Sequence, residues 1–161
     1  MISMLFAISS AAASPSASAP LIVVRQLLDG WREADADKVR ATWATEFRLL
    51  TLRKDGQGTR LDQDSRESLE KSMAVLKPGA WDVRLGNPTI AMDHTGIATV
   101  WAPYTFYMSG RKSHCGIENF TLYRFNDQWK IVQFADTHRW HGSEVKCVDR
   151  PPTPKAVRGT H

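Results

Sequence analysis

The stretch that decides the fold is IATVWAPYTFYMSGRKSHCGIENFTLYRFNDQWKIVQFADTH, residues 97–138. It holds three runs dense in β-branched and aromatic residues: Ile97 to Met108, His114 to Phe125 and Trp129 to His138. Ser109-Gly110-Arg111-Lys112 and Asn126-Asp127-Gln128 separate them, and residues of these types make tight turns. A fourth run, Trp81 to Met92, precedes them and is broken by Gly86-Asn87-Pro88, which predicts a bend or bulge. Asp93-His94-Thr95-Gly96 turns it into the next run, where Pro103 predicts a second bulge. The second half therefore reads as a four-strand antiparallel meander.

Upstream the period changes. Leu21 to Val24, Leu27, Leu28 and Trp31 recur at helical spacing, ending near Asp29-Gly30 or shortly after. Asp35 or Asp37 can cap a short second helix carrying Val39, Trp43 and Phe47. Phe47, Leu49, Leu50 and Leu52 suggest a strand, turned by Asp55-Gly56-Gln57-Gly58 into a short partner. Asp64-Ser65 opens a third helix with Leu69, Met73 and Leu76 inside, and Lys77-Pro78-Gly79 stops it. Helices first and antiparallel strands afterwards define an α+β domain over residues 21–138.

Strand alternation sorts the side chains by face. In the third long run His114, Gly116, Glu118, Phe120 and Leu122 share one side. With Asp127-Gln128 as turn residues, Trp129 and Ile131 join them, as a core-facing side requires. With Gly110-Arg111 as the preceding turn, so do Trp101, Thr105 and Tyr107. The other face then carries Val100, Tyr104, Phe106, Ile117, Tyr123, Val132 and Phe134, and is also apolar. A second copy of the chain is the simplest cover for it, so a homodimer through Tyr104, Phe106 and Phe134 is expected. One step of register in the last turn would move Asp136 and His138 onto the His114 face, and both registers remain open.

Composition restricts partners. The net charge of +4 lies mostly beyond the domain: in residues 139–161 five bases face two acids, leaving the folded part near +1. A nucleic-acid binder concentrates charge on a folded face, so none is expected here. Residues 1–20 carry no charge, and Met4 to Ile8 is a short apolar run before two Ala-x-Ala patterns, ending at Ala13 and Ala19. That is a signal-peptide pattern without the usual basic start, and it is too short to span a bilayer. It predicts a periplasmic or secreted protein. The alternative is an uncharged extension or misassigned start on a cytoplasmic protein. The two cysteines, Cys115 and Cys147, either pair in an oxidising compartment or are unrelated thiols.

Several of these segments together resemble one known group. Asp29-Gly30-Trp31 with Asp35 and Asp37-Lys38-Val39 resembles the opening helices of the nuclear-transport-factor-2-like superfamily. Ala98 to Trp101, Ser113 to Gly116, Phe120 to Leu122, Trp129 to Val132 and Asp136-Thr137 resemble strands of a bacterial branch labelled lumazine-binding. That branch stands close to the polyketide-cyclase-like and ketosteroid-isomerase-like groups. The resemblance implies a strongly curved sheet forming a cone with an internal pocket, and frequent dimerisation. It does not imply lumazine binding, and the isomerase oxyanion pattern of a Tyr and a protonated Asp finds no place on these residues.

His114 and Glu118 are the leading acid–base candidates, with Asp136 the third. Burial raises a carboxylate pKa and lowers an imidazole pKa, bringing both toward neutrality. Each also has a structural reading, as a hydrogen-bonded pair or a strand-end acceptor. Trp43, Trp101 and Tyr107 are candidate pocket walls for a flat apolar ligand, or plain core. His138, His141 and Cys147 match no standard zinc spacing, so no metal and no cofactor is expected. Three functions follow: a non-catalytic small-molecule binder, favoured; a cofactor-independent isomerase, cyclase or dehydratase; or an interaction module with a filled pocket. Pocket volume separates the third from the others. A titratable pair with displaced pKa values in an open pocket favours catalysis.

Overall fold

The computed structural model describes residues 18–140. Residues 1–17 of the expected leader and 141–161 of the expected tail, with Ala13, His141 and Cys147, fall outside them; residues 18–20 instead open the first helix and 139–140 end the last strand. Helix α1 spans Ala19–Glu33 with Ser18 as N-cap and Pro20 in its first turn, where a missing N–H costs nothing. Its buried stripe is Leu21, Val24, Leu27, Leu28 and Trp31. It ends on Ala34 in the left-handed region, and Asp35 caps α2 (Ala36–Arg40) by accepting from the Lys38 N–H at 2.9 Å. The short helix stops before Trp43, which is a strand residue: β1 runs Trp43–Asp55 and turns at Gly56-Gln57 into β2 (Gly58–Ser65). Ser65 then caps α3, Arg66–Ala74, whose Leu69 and Met73 face inward.

The expected bend divides the next run into β3 (Trp81–Leu85) and β4 (Thr89–Met92), both pairing with β5 (Ile97–Met108). Pro103 sits opposite the break between them without a register shift, so the expected bulge there does not occur. Its carbonyl accepts from the Gly86 N–H at 2.7 Å. Because a strand residue presents N–H and C=O to the same side, the absent N–H faces the gap rather than a ladder. β6 (Arg111–Phe125) and β7 (Gln128–Trp140) complete the meander.

The sheet order is β2-β1-β7-β6-β5-β3, with β4 beside β5, forming a strongly curved, open, seven-stranded sheet among the described residues. It is mixed rather than wholly antiparallel, because β1 runs parallel to β7. Helices α1 and α3 cover its concave face. Between them lie Val24, Leu27, Val39, Phe47, Val100, Phe120, Leu122 and Ile131. Phe120 stacks on Phe134 with ring centroids 4.8 Å apart.

Both turns sit one residue earlier than the sequence reading places them. Ser109-Gly110 and Asn126-Asp127 hold the positive φ angles of primed hairpin turns. Each hairpin also carries a bulge, after the Tyr107↔Lys112 pair and after the Leu122↔Ile131 pair. Beyond the first, His114 pairs with Phe106 and Gly116 with Tyr104. Beyond the second, Phe120 pairs with Phe134 and Glu118 with Asp136. The facing of two strands is thereby reset. Tyr104, Phe106 and Phe134, expected to form an outer dimer face, belong to the inner one, and Tyr104 and Phe134 are 4% exposed.

Candidate functional site

At one end of the concave face the apolar rows of the core give way to polar ones. Leu49, Phe134, Phe120 and Val100 lie side by side across β1, β7, β6 and β5; one alternation further come Thr51, Asp136, Glu118 and Ala102. Beyond these Arg53 pairs with His138, Tyr104 with Gly116 and Phe106 with His114. A cavity of about 300 Å³ opens over this end. Its apolar walls include Trp31, Leu69, Trp81 and Val83, and Asp64, Ser68 and Ser72 lie toward α3.

The polar end is a cluster. The Tyr104 hydroxyl donates to Asp136 Oδ2 at 2.8 Å, with the Thr137 carbonyl 3.2 Å away, and His138 Nε2 is 2.7 Å from the same Asp136 oxygen. The His114 and His138 rings lie 3.9 Å apart between centroids, and Ser113 Oγ is 3.1 Å from His114 Nδ1. Glu118 is 1% exposed, and its Oε2 has no hydrogen-bond partner among the described residues; the same holds for Trp31 Nε1.

These surroundings drive the two carboxyls apart. Burial, then the neighbouring Asp136 charge, pushes Glu118 well above the usual carboxylate range. Burial acts on Asp136 in the same sense, but the hydrogen bond and charge of His138, with Thr51 and Tyr104 behind them, win and hold it below that range. Burial, then His138, pushes His114 down to about 4. Tyr104 is raised by burial and by Asp136. Near neutral pH the cavity thus presents an ionised Asp136 and a neutral His114 imidazole beside a Glu118 whose proton is held more tightly than an ordinary carboxyl's.

His114, Glu118 and Asp136 all line the cavity. The expected aromatic walls do not. Trp43 is buried beside Phe47, stacked at 4.6 Å, outside the cavity. Trp101 is 40% exposed and paired with Asn119 on the outer face, and Tyr107 lies under the Arg84 guanidinium at 4.2 Å. The aromatic walls are instead Trp31 and Trp81, packed edge to face at 6.2 Å, with Tyr104, Phe106 and Phe134. Trp31 was visible as the end of the α1 stripe; Tyr104 and His138 were hidden by register. Cys115 is buried and is not a free thiol, while its suggested partner Cys147 is outside the described residues.

No family model matches the chain, and no curated protein matches it. Solved structures do. A protein of unknown function with a cystatin-like fold from Nostoc punctiforme matches with a TM-score of 0.58 at 12% identity, over 75% of this chain and 89% of that one. A nuclear-transport-factor-2-like protein of unknown function from Shewanella baltica gives 0.55 at 14%, over 75% and 91%. A nuclear-transport-factor-2-like protein from Cytophaga hutchinsonii gives 0.57 at 14%, over 74% and 94%. The chain has the nuclear-transport-factor-2-like fold, a helix-covered cone of α+β class. Identities this low establish the fold alone, and function must come from the site.

Proposed function

We propose that the domain binds a small, largely apolar molecule in the cavity, with the molecule's polar group against Tyr104, His114, Glu118 and Asp136. The observation carrying this reading is the pair of buried polar atoms, Glu118 Oε2 and Trp31 Nε1, on two cavity-lining residues, that no group among the described residues satisfies. Such atoms are rare in folded proteins, and a ligand that bonds them removes their cost. The open volume argues against an interaction module with a filled interior. Anilinonaphthalene sulfonate, an apolar fluorophore with one polar end, serves as probe. Its binding should quench Trp31 and Trp81. Filling the cavity by Val83→Trp should weaken it at least ~10-fold, and Glu118→Gln should shift it by about 3- to 10-fold, one hydrogen bond's worth. Unchanged probe affinity in a folded Val83→Trp protein would sink the proposal.

A second reading, proton transfer on the bound molecule, has its own support in the divergent pKa values of Glu118 and Asp136. Asp136 would accept a proton while Glu118 and Tyr104 donate hydrogen bonds to the oxygen that gains charge. Deuterium from heavy water should then enter a carbonyl compound bound in the cavity, and Asp136→Asn should stop it.

We further propose export and self-association. Export with cleavage after Ala13 leaves α1 whole, whereas cleavage after Ala19 would remove its cap Ser18 and first residue. Self-association, denied the face first assigned to it, would use the outer one, where Ile97, Trp101, Tyr123 and Phe125 are 39–45% exposed. Light scattering at micromolar concentration should show a dimer that Trp101→Glu reduces to a monomer.

A further inference from the structure

We infer that the polar end of the cavity is a site for one divalent first-row transition-metal ion, held by His114, Asp136 and His138. Each residue offers one donor atom, and the three atoms lie within 4.8 Å of one another. Two of the three donors are among the buried polar residues, His114 and Asp136 being 7% and 8% exposed. Asp136 and His138 are two apart on β7 and so share a face; His114 comes from the same face of neighbouring β6. Two imidazoles and a carboxylate suit zinc or iron(II) chemistry, whereas calcium and magnesium prefer oxygen throughout. Donors sharing such an ion at ~2.1 Å stand about 3.0–3.4 Å apart. To admit one, the 2.7 Å between His138 Nε2 and Asp136 Oδ2 opens slightly, and the widest separation in the set, at most 4.8 Å, closes around the ion.

The surroundings have the features that orient metal ligands. Tyr104 donates to the Asp136 carboxylate, and Ser113 Oγ meets His114 Nδ1 on the ring. Gly116, between His114 and Glu118 on β6, puts no side chain in the way. Independently of the three donors, the buried Glu118 Oε2, without a hydrogen-bond partner among the described residues, belongs to the residue paired with Asp136 across the neighbouring strand, where a water or ligand atom on the ion would satisfy it. Three protein donors leave positions open toward the cavity, where an oxygen of the bound molecule would sit. The inference goes beyond small-molecule binding, which a plain His–Asp hydrogen bond would also permit. It departs from the sequence expectation of no metal, and it excludes Asp136 as a free base, since a ligand's lone pair is committed.

The test uses the full chain without a polyhistidine tag, stripped with EDTA and titrated with Co²⁺ alone, followed by its visible absorption. One saturable Co²⁺ per chain, displaced by Zn²⁺, is expected. His114→Ala and Asp136→Asn should each weaken it at least ~100-fold, and Tyr104→Phe about 10- to 100-fold, while His141→Ala leaves it unchanged. Circular dichroism checks each fold; if His114→Ala fails to fold, His138→Gln and Tyr104→Phe carry the test. No saturable absorption, or binding that survives the cavity variants and falls with His141→Ala, overturns the metal site. Fluorophore binding by the stripped protein reports on the cavity separately, so losing one proposal leaves the other standing.

Discussion

Gly116→Ala should cost at least about 3 kcal/mol of stability and about 10 °C or more in melting temperature. A Cβ built on Gly116 would lie 1.7 Å from the Thr137 carbonyl oxygen and 2.8 Å from both its carbon and its Oγ1. Most of what it meets is backbone, held by the β6–β7 ladder and by the Ile117 N–H donating to Thr137 Oγ1 at 3.1 Å. Relief requires separating the two strands that carry His114, Glu118, Asp136 and His138, so ligand and ion binding should fall with stability. Gly30 makes the contrast. Its Cβ would meet the buried Val39 Cγ2 at 2.7 Å and, less tightly, backbone atoms of Val39 and Asp35 at 3.2 and 3.3 Å, and the roughly 1 kcal/mol that alanine gains in helix propensity offsets part of that cost. Equal unfolding midpoints for Gly116→Ala and wild type in denaturant would refute the close approach.

Glu118→Gln should stabilise the stripped protein, and increasingly so as pH rises. The folded state holds the Glu118 proton well above the ordinary pKa of 4.5, whereas the unfolded chain releases it there. Between those two pKa values the native state binds more protons, so stability falls with rising pH. The group's contribution is therefore intact below pH 4.5 and is lost as pH climbs toward the folded pKa. Wild type therefore loses stability as pH rises above the ordinary carboxylate range, which the uncharged amide does not lose. Denaturant unfolding from pH 4 to pH 8 with EDTA present should give curves that meet at the acid end and diverge above it. Parallel curves would mean that Glu118 ionises in the fold. His114 acts at the other end: depressed to about 4, it destabilises the native state as pH falls from 6.5 toward 4.

The reason these groups could be named from sequence, but not assembled, lies in how alternation works. Parity along β6 puts His114, Gly116, Glu118, Phe120 and Leu122 on one side whatever the neighbouring strands do. Leu122 and Phe120 must be buried, so Glu118 goes with them. Parity between strands passes through a turn, and a slip of one residue inverts it. Asn126 and Asp127 are residue types that tolerate positive φ, so the correct turn was readable there. The bulge beyond Leu122 was not, because nothing in Thr121, Val132 or Gln133 marks it locally. It lets Ile131 and Phe134 both reach the core despite their odd spacing, and Asp136 and His138 follow Phe134 inward.

By itself, then, the sequence determined the element order, a cap at Asp35 or Asp37, a helix start at Asp64-Ser65, the bend at Gly86-Asn87-Pro88 and the inward facing of His114 and Glu118. All of these depend on local backbone preference or on alternation within one strand. Tertiary structure alone decided that β1 lies parallel against β7, that Trp31 and Trp81 replace Trp43 and Trp101 as cavity walls, and that Tyr104, Asp136 and His138 meet His114. Those juxtapositions join residues up to 88 positions apart along the β1–β7 ladder, as at the Trp43↔Ile131 pair. They depend on register, which is settled by the packing of apolar side chains under the helices rather than by any short stretch of chain.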